Sequence, residues 1–568
     1  MDTPLLGQFL VAVNGFIKVR NEAQLNAYLV LEPPFNPQYQ NLIAELKKAY
    51  PKGNEEQLEQ KCERALSAAT TRDAEDGAAW TAFVKFMVQY LAYLRDIDAD
   101  PERYLLAYEL LSELQSRANN ALNHATLGHL LLPTVITIAR LVCRLAIGLD
   151  KRSTLTAHLN ASSSGGAAAA ANEDGGPRET LPERAANTLR QAFVICLNDR
   201  TPAAAHSAPA GKKRGIYTIA NLCLKILFQC RKTRNATQIF ENIYNLSPPL
   251  ASYPKRERVA YLYYLGRFWF QNGHFYRAQL ALQAAYDECP AREECVRQRR
   301  LLLIYLIASN LILGRFPSQA LLNRPEAIGL AERFLPLCHA IRKGDLAAFR
   351  HHTDIMQGEH AAWFLHFRML LQLRNRGEVL VWRSLVRKTW ILNGTRPADL
   401  RSKVTPTVSV YDLVGAWEWL ERRQLQSKGL QADDYVDPDF AGVEQHFAHG
   451  GEEVLVDTTA IESILSSLID QGFLGGFISH RQMKFAITGS AKKGGDILAA
   501  GFPRPWEVMR AKAEREKDSG GEVVVPGWKK QTSVSNGFGG AAGMLGGLRP
   551  GPGMVVNLSG ARPVGAVG

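Results

Sequence analysis

Residues 454–487 constrain the fold more than any other stretch of this sequence, because an amphipathic helix is followed there by a short strand pair. The apolar residues of the helix recur at three- and four-residue spacing, which is typical of one buried face; they are Ile461, Ile464, Leu465, Leu468 and Ile469. Side chains of residues 457–459 can cap the start of this helix, and Gly472 can adopt the left-handed conformation that ends it. The strands are predicted at residues 473–478 and 483–487, with a turn at 479–482 between them. A helix, a turn and two strands form the second half of a winged helix.

Two amphipathic helices upstream complete the predicted winged helix. They are expected at residues 379–392 and 410–421, and the stretch at 422–451, with its acidic run, is interpreted as a surface loop inserted in the domain. The whole unit is predicted to span residues 376–506. Residues 507–568 are predicted to be a charged helical stub and a Gly-rich tail that should be disordered.

One helical hairpin in the middle of the chain has the residue pattern of a tetratricopeptide-like repeat. Within residues 262–290, Gly266 lets two helices approach closely, Trp269 fills the inner face of the first and Gly273 makes the turn. The second helix is expected to pack on the first through Phe275, Ala278, Leu282 and Ala285. Further helices are predicted at residues 299–313, 315–322, 330–342, 345–357 and 361–374. Since such hairpins bury their inner faces only by stacking, residues 216–375 should form a right-handed helical solenoid.

The first 150 residues also have helical rather than strand periodicity, so the predicted fold class is mainly α: a TPR-like helical-hairpin solenoid that ends in a winged helix. Their most apolar stretch, residues 127–149, contains His129, Pro133 and two arginines. We therefore interpret it as a buried helix and expect no membrane insertion. Residues 151–215 are predicted to be a low-complexity insertion with one helix, at 184–197.

Two segments of this insertion lack the apolar content of a packed element. Residues 161–177 are rich in Ala, Gly and Ser and should be disordered. Residues 201–215 should be flexible, and they contain the basic run Lys212, Lys213 and Arg214. That run is interpreted either as a nuclear import signal or as a solvated loop, and the sequence alone does not choose between the two.

The chain has none of the familiar sequence motifs of catalysis. No H-E-x-x-H, G-x-S-x-G or G-x-x-x-x-G-K motif occurs. The eight cysteines form no C-x-x-C pair and are expected to be reduced core residues of an intracellular protein. The histidine cluster of His351, His352 and His360 is assigned to a surface or core role rather than to a metal. We predict a binding protein without catalytic residues, cofactor or metal, and keep an enzyme with an unrecognised site as an alternative.

Positive charge is concentrated in the predicted winged helix and the approach to it. The chain has a net charge of +12, which suits an acidic partner without identifying it as nucleic acid or protein. Residues 365–403 contain nine Lys and Arg against two acids, and residues 471–495 contain four against none. From these runs we predict nucleic-acid contacts at Arg481, Lys484, Lys492, Lys493, Arg383, Arg387 and Lys388. Lys and Arg on a wing can bind phosphates and release counterions, but the same residues can solvate the surface, pack by their stems or bind an acidic protein.

Three segments of the sequence resemble one protein family. They read RVAYLYYLGRFWFQNGHFYRAQLALQAAYDECP, RRLLLIYLIASNLILGRFPS and IESILSSLIDQGFLGGFISHRQMKFAI, and the pair FISHRQMK and FPRPW is the most specific part. They resemble the PCI-domain-containing protein two family, whose PCI module is a helical solenoid joined to a winged helix. The family includes fungal homologues of subunit twelve of the COP-nine signalosome and the PCI subunit of the nuclear transcription-and-mRNA-export complex. The resemblance covers residues 259–506 well and the N-terminal helices loosely.

The resemblance implies a function as a non-enzymatic scaffold that couples transcription to mRNA export. A member of this kind binds a larger PCI-like scaffold subunit, a small acidic protein, and RNA or DNA. Because PCI winged helices often pair, we assign partner binding to Ile461, Leu465, Phe473 and Phe477. The alternative is a protein-only scaffold subunit of an assembly like the COP-nine signalosome or the proteasome lid. The implied location is the nucleus, with the cytoplasm as a second location.

Overall fold

Helices dominate the part of the chain that the computed structural model describes, which comprises residues 3–70, 78–97, 103–152, 180–200, 209–396, 405–427, 458–490, 493 and 495–515. The helices of the N-terminal region are α1 (Pro4–Lys18), α2 (Glu22–Tyr28), α3 (Pro37–Ala49), α4 (Glu55–Ala65), α5 (Ser67–Thr70), α6 (Thr81–Asp96), α7 (Tyr104–Leu122), α8 (Leu132–Asp150) and α9 (Leu181–Leu197). Helix α3 begins at Pro37, because the Asn36 side chain accepts a hydrogen bond from the Tyr39 N–H at 2.9 Å and proline is favoured in the first turn of a helix. The disordered insertion predicted at 161–177 lies outside the described residues.

The apolar stretch that ends in α8 is a core element. By length and composition alone, Leu127–Asp150 could cross a membrane. Val135, Ile138 and Val142 have no exposed surface, since α8 packs against α7, α9 and the helix that begins at Ile216. This burial agrees with the prediction of a core helix.

The basic run at 212–214 is ordered and only partly exposed, with Lys212 buried, Lys213 half-buried and Arg214 exposed, and its role as a nuclear import signal stays a prediction. It forms a short 3-10 helix, Gly211–Gly215, in which Lys212 is only 5% exposed. The Lys212 N–H donates to the Asp199 carboxylate at 2.9 Å, and Arg214 forms an ion pair with Glu22 at 2.5 Å. Burial lowers the pKa of the Lys212 ammonium, with Asp199 opposing the shift. Tertiary contacts with the first helices therefore order residues that the sequence suggested were flexible, and residues 201–208 lie outside the described part.

The middle of the chain is a stack of helices. They are α10 (Ile216–Gln229), α11 (Ala236–Leu246), α12 (Lys255–Gln271), α13 (Phe275–Glu288), α14 (Val296–Ile312), α15 (Gln319–Leu322), α16 (Leu330–Lys343), α17 (Leu346–Thr353), α18 (Ala361–His366) and α19 (Leu370–Asn393). Short 3-10 segments lie at Leu127–Leu131, Thr233–Asn235, Leu250–Ser252, Glu293–Cys295 and Pro325–Ala327. The α12–α13 hairpin confirms the predicted repeat, because Gly273 turns with a φ of +80° and Ala278, Leu282 and Ala285 are fully buried.

Three predicted helices of this stack differ in extent from those observed. The helix predicted at 315–322 shrinks to α15, since Pro317 precedes Ser318, whose side chain caps the later start. The helix predicted at 345–357 ends at Thr353, because the Asp354 carboxylate accepts the N–H groups of Met356 and Gln357 and forms a turn instead.

The break predicted between the last solenoid helix, at 361–374, and the first helix of the winged helix, at 379–392, lies earlier than expected. It falls at Arg368, which has a φ of +54°, and α19 then runs without interruption across the predicted boundary at 375/376. Gly377 does not end a helix here, since it makes room for Phe349: a Cβ at position 377 would lie 2.5 Å from the Phe349 Cζ. One continuous helix therefore joins the solenoid to the winged helix.

The winged helix contains a three-stranded sheet. Its elements are β1 (Thr407–Ser409), α20 (Val410–Ser427), α21 (Thr458–Asp470), β2 (Gly476–Ser479), the 3-10 turn His480–Gln482 and β3 (Lys484–Ile487), followed by α22 (Ile497–Gly501) and α23 (Pro505–Arg515). The strand order is β1-β3-β2 and both pairings are antiparallel. Val408 and Phe485 face each other in the register and are buried, which joins the sheet to the core.

Two details of the sheet were not predicted. Strand β1 was missed, because three residues in a Thr- and Pro-containing stretch carry too little alternation to be recognised. Strand β2 begins at Gly476 rather than 473, since the Phe473 and Leu474 N–H groups bond to the Leu468 carbonyl and close the end of α21. The predicted loop at 422–451 begins as the last turns of α20, and residues 428–457 lie outside the described part.

Candidate nucleic-acid interface

The wing tip presents two of the predicted cations to solvent. The hairpin pairs Ser479 with Lys484, and Met483 closes the turn with a φ of +50°. Arg481 and Lys484 are exposed, and within the described residues neither forms an ion pair. Lys493 is also exposed, whereas Lys492 lies outside the described residues. The wing therefore offers charge that is free to contact a phosphate.

A contact between the wing and α21 fixes the position of this tip. The His480 Nδ1 lies 2.8 Å from one carboxylate oxygen of Glu462 and 3.1 Å from the other. Glu462 is on α21, and its side chain is 16% exposed against 79% for His480. The contact ties the turn between β2 and β3 to the helix, so Arg481 is held next to the exposed face of α21.

Helix α21 itself carries no positive charge. Its sequence, TTAIESILSSLID, contains no Lys or Arg, and its exposed face consists of Thr459, Ser463, Ser466, Ser467 and Asp470. Hydroxyl groups can donate to phosphate oxygens, but they supply no long-range attraction. In many winged-helix proteins the corresponding helix lies in the groove, but here it adds no cation to the electrostatic attraction that the wing and α19 can supply.

The three predicted cations of α19 have different environments. Arg383 points inward and donates to the Phe502 and Pro503 carbonyl oxygens at 2.8 and 2.7 Å. Burial, together with the neighbouring charge of Arg387, lowers the pKa of Arg383 to about 10. Arg387 is half-buried and Lys388 is exposed. Arg383 therefore helps to hold residues 502 and 503 in place, whereas Arg387 and Lys388 remain accessible to a ligand.

Residues 502–506, which we call the clasp, join the winged helix to the solenoid. The Phe502 ring lies 6.2 Å from that of Trp390 on α19, and the Trp506 ring lies 5.2 Å from that of Tyr276 on α13. The Arg315 guanidinium lies 4.4 Å from the centre of the Trp506 ring, which is a cation–π contact. The FPRPW motif thus has a structural role that its sequence does not reveal.

The structure corrects three of the four partner-binding assignments. Ile461, Leu465 and Phe473 are 1%, 0% and 6% exposed, because they fill the core between α21 and the sheet. Side chains in this position hold the domain together and are not available to a partner. Phe477 is 52% exposed on β2, an outer strand of the sheet, and partner binding at this residue stays a prediction.

The histidine cluster offers no metal site. In the described part of the chain, no group of three or more His, Cys, Asp and Glu side chains could hold a metal ion. The eight cysteines are all free, and six of them are buried.

Sequence reasoning missed two residues of this region. Glu462 orients the wing, and Arg342, at the end of α16, faces the cations of α19 across a cleft. Neither has a local sequence signal, because each acts on residues that are distant in the chain.

Comparisons with known proteins identify relatives over much of the chain. No protein-family model matches it. A PCI domain-containing protein of Schizosaccharomyces pombe is 26% identical over 498 residues, which is 88% of this chain and 96% of that protein. A protein named CSN12 homolog from Neurospora crassa is 32% identical over 216 residues, 37% of this chain and 45% of that protein. PCI domain-containing protein 2 of Danio rerio is 24% identical over 306 residues, 54% of this chain and 62% of that protein. The chain thus covers less than two thirds of the length of the last two relatives.

Proposed function

Because this chain belongs to the family of PCI domain-containing protein 2 and the CSN12 homologues, we propose that it is a non-enzymatic scaffold subunit that binds nucleic acid through its winged helix. The names of the relatives support a PCI scaffold subunit. The proposal adds a nuclear complex that couples transcription to mRNA export, and it adds three partners. These are a larger PCI-like scaffold subunit, a small acidic protein, and RNA or DNA.

The observation that carries the nucleic-acid part is the wing. Arg481 and Lys484 project from a hairpin whose tip is tied to α21 through His480 and Glu462, and within the described residues no acid pairs with either cation. A rigid, unneutralised pair of cations on a β-hairpin suits contact with a sugar–phosphate backbone. Since α21 presents hydroxyl groups and no Lys or Arg, the binding should depend on salt more than on sequence.

A protein-only scaffold is the second candidate, and one feature favours it. Phe477 is a large apolar side chain, half exposed on an outer strand, and an exposed aromatic residue on a strand edge suits contact with another protein. This scaffold would belong to an assembly like the COP-nine signalosome or the proteasome lid, which agrees with the name CSN12 homolog of several relatives.

Charge reversal on the wing tests nucleic-acid binding. Arg481, Lys484, Lys492 and Lys493 are changed together to Glu in the full chain, and labelled single-stranded RNA is titrated at several salt concentrations. We expect the affinity to fall at least about tenfold, and the slope of log K against log salt to become shallower by roughly 0.7 for each lost phosphate contact.

The matched control reverses four exposed lysines of the N-terminal helices, Lys18, Lys47, Lys48 and Lys85. It changes the net charge of the chain by the same amount, so it should alter binding much less. Equal losses in the two variants would mean that overall charge, rather than the wing, attracts the RNA. Unchanged affinity and slope in the wing variant would remove the nucleic-acid proposal.

Affinity purification from nuclear extract, with and without nuclease, tests the choice of complex. The export proposal predicts co-purification of an export scaffold and nuclear-pore proteins. Recovery of signalosome subunits in their place would favour the second candidate.

A further inference from the structure

A cleft at the junction of the solenoid and the winged helix concentrates positive charge. It has a volume of about 220 Å³ and lies between the α14–α15 turn, the end of α16, the middle of α19 and the clasp. Its polar walls include Arg342, Arg383, Ser384, Arg387 and Lys388, and its apolar walls include Phe316, Leu380 and Pro505. We call it the junction pocket.

The cations of the junction pocket come from two helices. Positions 383, 384, 387 and 388 share one face of α19, because residues three and four apart lie next to each other on a helix. Arg342 is in the last turn of α16 and lies 4.7 Å from the centre of the Phe316 ring. Within the described residues, none of the four cations pairs with an acid, and no acidic side chain lines the pocket.

Arg383 is held so that one of its donors lacks a partner. One of its terminal NH₂ groups binds the two clasp carbonyls, while its Nε–H is buried and makes no hydrogen bond to any described residue. A buried donor of this kind costs about 1–3 kcal/mol when it has no partner. Burial and the charge of Arg387 lower the pKa of Arg383 to about 10, which is the direction expected where like charges meet without a counter-ion.

The volume and the charge of the pocket together indicate the class of ligand. A water molecule occupies about 30 Å³ in the liquid, so the pocket has room for a tetrahedral oxyanion with a short substituent. A carboxylate carries one negative charge, whereas a phosphate monoester carries about 1.5 to 2 and presents three acceptor oxygens. Several cations from two directions match the phosphate better, and Arg in particular binds phosphate oxygens in pairs.

We propose that the junction pocket binds a phosphate group, held by Arg342, Arg387 and Lys388 against the fixed guanidinium of Arg383. The phosphate belongs to a nucleotide or nucleic-acid strand, or to a free oligophosphate. This inference extends the proposed function, because it gives the α19 cations a ligand class. It does not require the wing, which lies on a different part of the domain and is tested separately.

Binding of inorganic pyrophosphate to the full chain tests the proposal. Isothermal titration at constant ionic strength compares the wild-type chain with Arg387→Gln and with Arg342→Gln. Each change removes one charge-assisted contact, so we expect the affinity to fall at least about tenfold in each variant. Neither residue binds the clasp, and circular dichroism at the start of each titration checks that the variants are folded.

Two controls separate this result from that on the wing. Arg376→Gln removes the same charge from an exposed position of α19 outside the pocket and should leave pyrophosphate binding unchanged. The fourfold wing variant should also bind pyrophosphate as the wild type does. Loss of RNA binding in the wing variant and loss of pyrophosphate binding in the pocket variants are therefore independent outcomes.

Oligothymidylates with and without a 5′-phosphate identify the source of the phosphate group. If only the oligothymidylate with a 5′-phosphate binds, the pocket holds a terminal phosphate monoester. If both bind equally, it holds a phosphate of the backbone. The proposal is overturned if the wild-type chain does not bind pyrophosphate at millimolar concentration, or if Arg387→Gln and Arg342→Gln bind it as the wild type does. If an acidic peptide binds the pocket and pyrophosphate does not displace it, the proposal is also overturned and a protein ligand is favoured.

Discussion

At the residue scale, a buried ion pair anchors the turn between the α13 and α14 helices to the 3-10 segment at Pro325–Ala327. The Arg299 Nε lies 3.0 Å from a Glu326 carboxylate oxygen, and the two side chains are 8% and 5% exposed. The Tyr286 hydroxyl donates to the same oxygen at 2.6 Å, and Arg299 also binds the Cys289 carbonyl at 2.5 Å. Removing one partner from such a network leaves a buried charge unpaired, which is more costly than the pair is stabilising.

The Glu326→Gln variant should lose about 3–5 kcal/mol of unfolding free energy at neutral pH. Burial alone would raise the pKa of Glu326, but hydrogen bonds from Tyr286 and Arg299 bring it below its ordinary value. A carboxyl with a lowered folded pKa stabilises the fold above its unfolded pKa of about 4.3, and this contribution is lost as the pH falls through the folded pKa. The difference between wild type and variant should therefore narrow below about pH 4.3.

Urea unfolding of both chains between pH 3 and pH 7 measures that difference. Glu332→Gln, an exposed carboxylate in the first turn of α16, is the matched control and should follow the wild type at every pH. If the difference in unfolding free energy between wild type and Glu326→Gln stays constant from pH 3 to pH 7, the Glu326 charge does not contribute to stability.

At the element scale, the α12–α13 hairpin depends on a close approach at one glycine. A Cβ on Gly266 would lie 2.5 Å from the Leu282 Cγ and 2.8 Å from its Cδ2. Both Gly266 and Leu282 are buried, so neither helix can move away without opening the core. This is the contact that the repeat pattern predicts, and the structure confirms it.

The Gly266→Ala variant should lower the unfolding free energy by about 1–3 kcal/mol, since the added methyl group overpacks the helix interface. Gly415→Ala on α20 makes the same change where no atom lies within 4 Å of the added Cβ, and it should stabilise the chain by up to about 1 kcal/mol. If packing determines the stability of the two variants, their thermal unfolding midpoints should shift in opposite directions from that of the wild type. Shifts of the same sign would contradict a close approach at Gly266.

At the scale of the whole molecule, the clasp decides how the winged helix and the solenoid act together. Trp506 contacts both Tyr276 of the solenoid and the guanidinium of Arg315, and the α23 helix, of which it is the second residue, packs on α13. A Cβ at Gly314, whose φ is +77°, would lie 3.1 Å from the Pro505 Cβ, so the clasp passes close to the backbone of the α14–α15 turn. The junction pocket exists because the clasp closes one side of it.

The Trp506→Ala variant should loosen this join without unfolding the rest of the chain. Trp506 is partly buried, so we expect a loss of about 2 kcal/mol, below the 3–5 kcal/mol of a fully buried Trp. Amide hydrogen exchange should become faster in Pro505–Arg515 and stay unchanged in the N-terminal helices. Trp419→Ala, at a residue 59% exposed on α20, serves as the control and should alter exchange in neither region. Unchanged exchange in Pro505–Arg515 would show that other contacts hold the join.

The tertiary structure alone decided which residues are accessible. Lys212 is buried although it belongs to a basic run, because Asp199, Asn123 and Gly128 surround it. Arg383 turns toward the clasp, more than a hundred residues further along the chain, and Ile461 and Leu465 fill the core instead of meeting a partner. Local sequence contains no information on such contacts, because they join segments that are distant in the chain.

What the sequence by itself determined are the features with a short physical range. The helical stack, the α12–α13 hairpin and the strand pair of the wing follow from apolar spacing and from glycine at the turns, which act over a few residues. For the same reason, the buried residues of the α12–α13 hairpin could be predicted from the sequence. The junction pocket could not, since its walls come from residues 314 to 505 and meet only when the winged helix docks on the solenoid. Charge density along the chain indicated where cations are abundant, and only the packed structure decided which of them face one another.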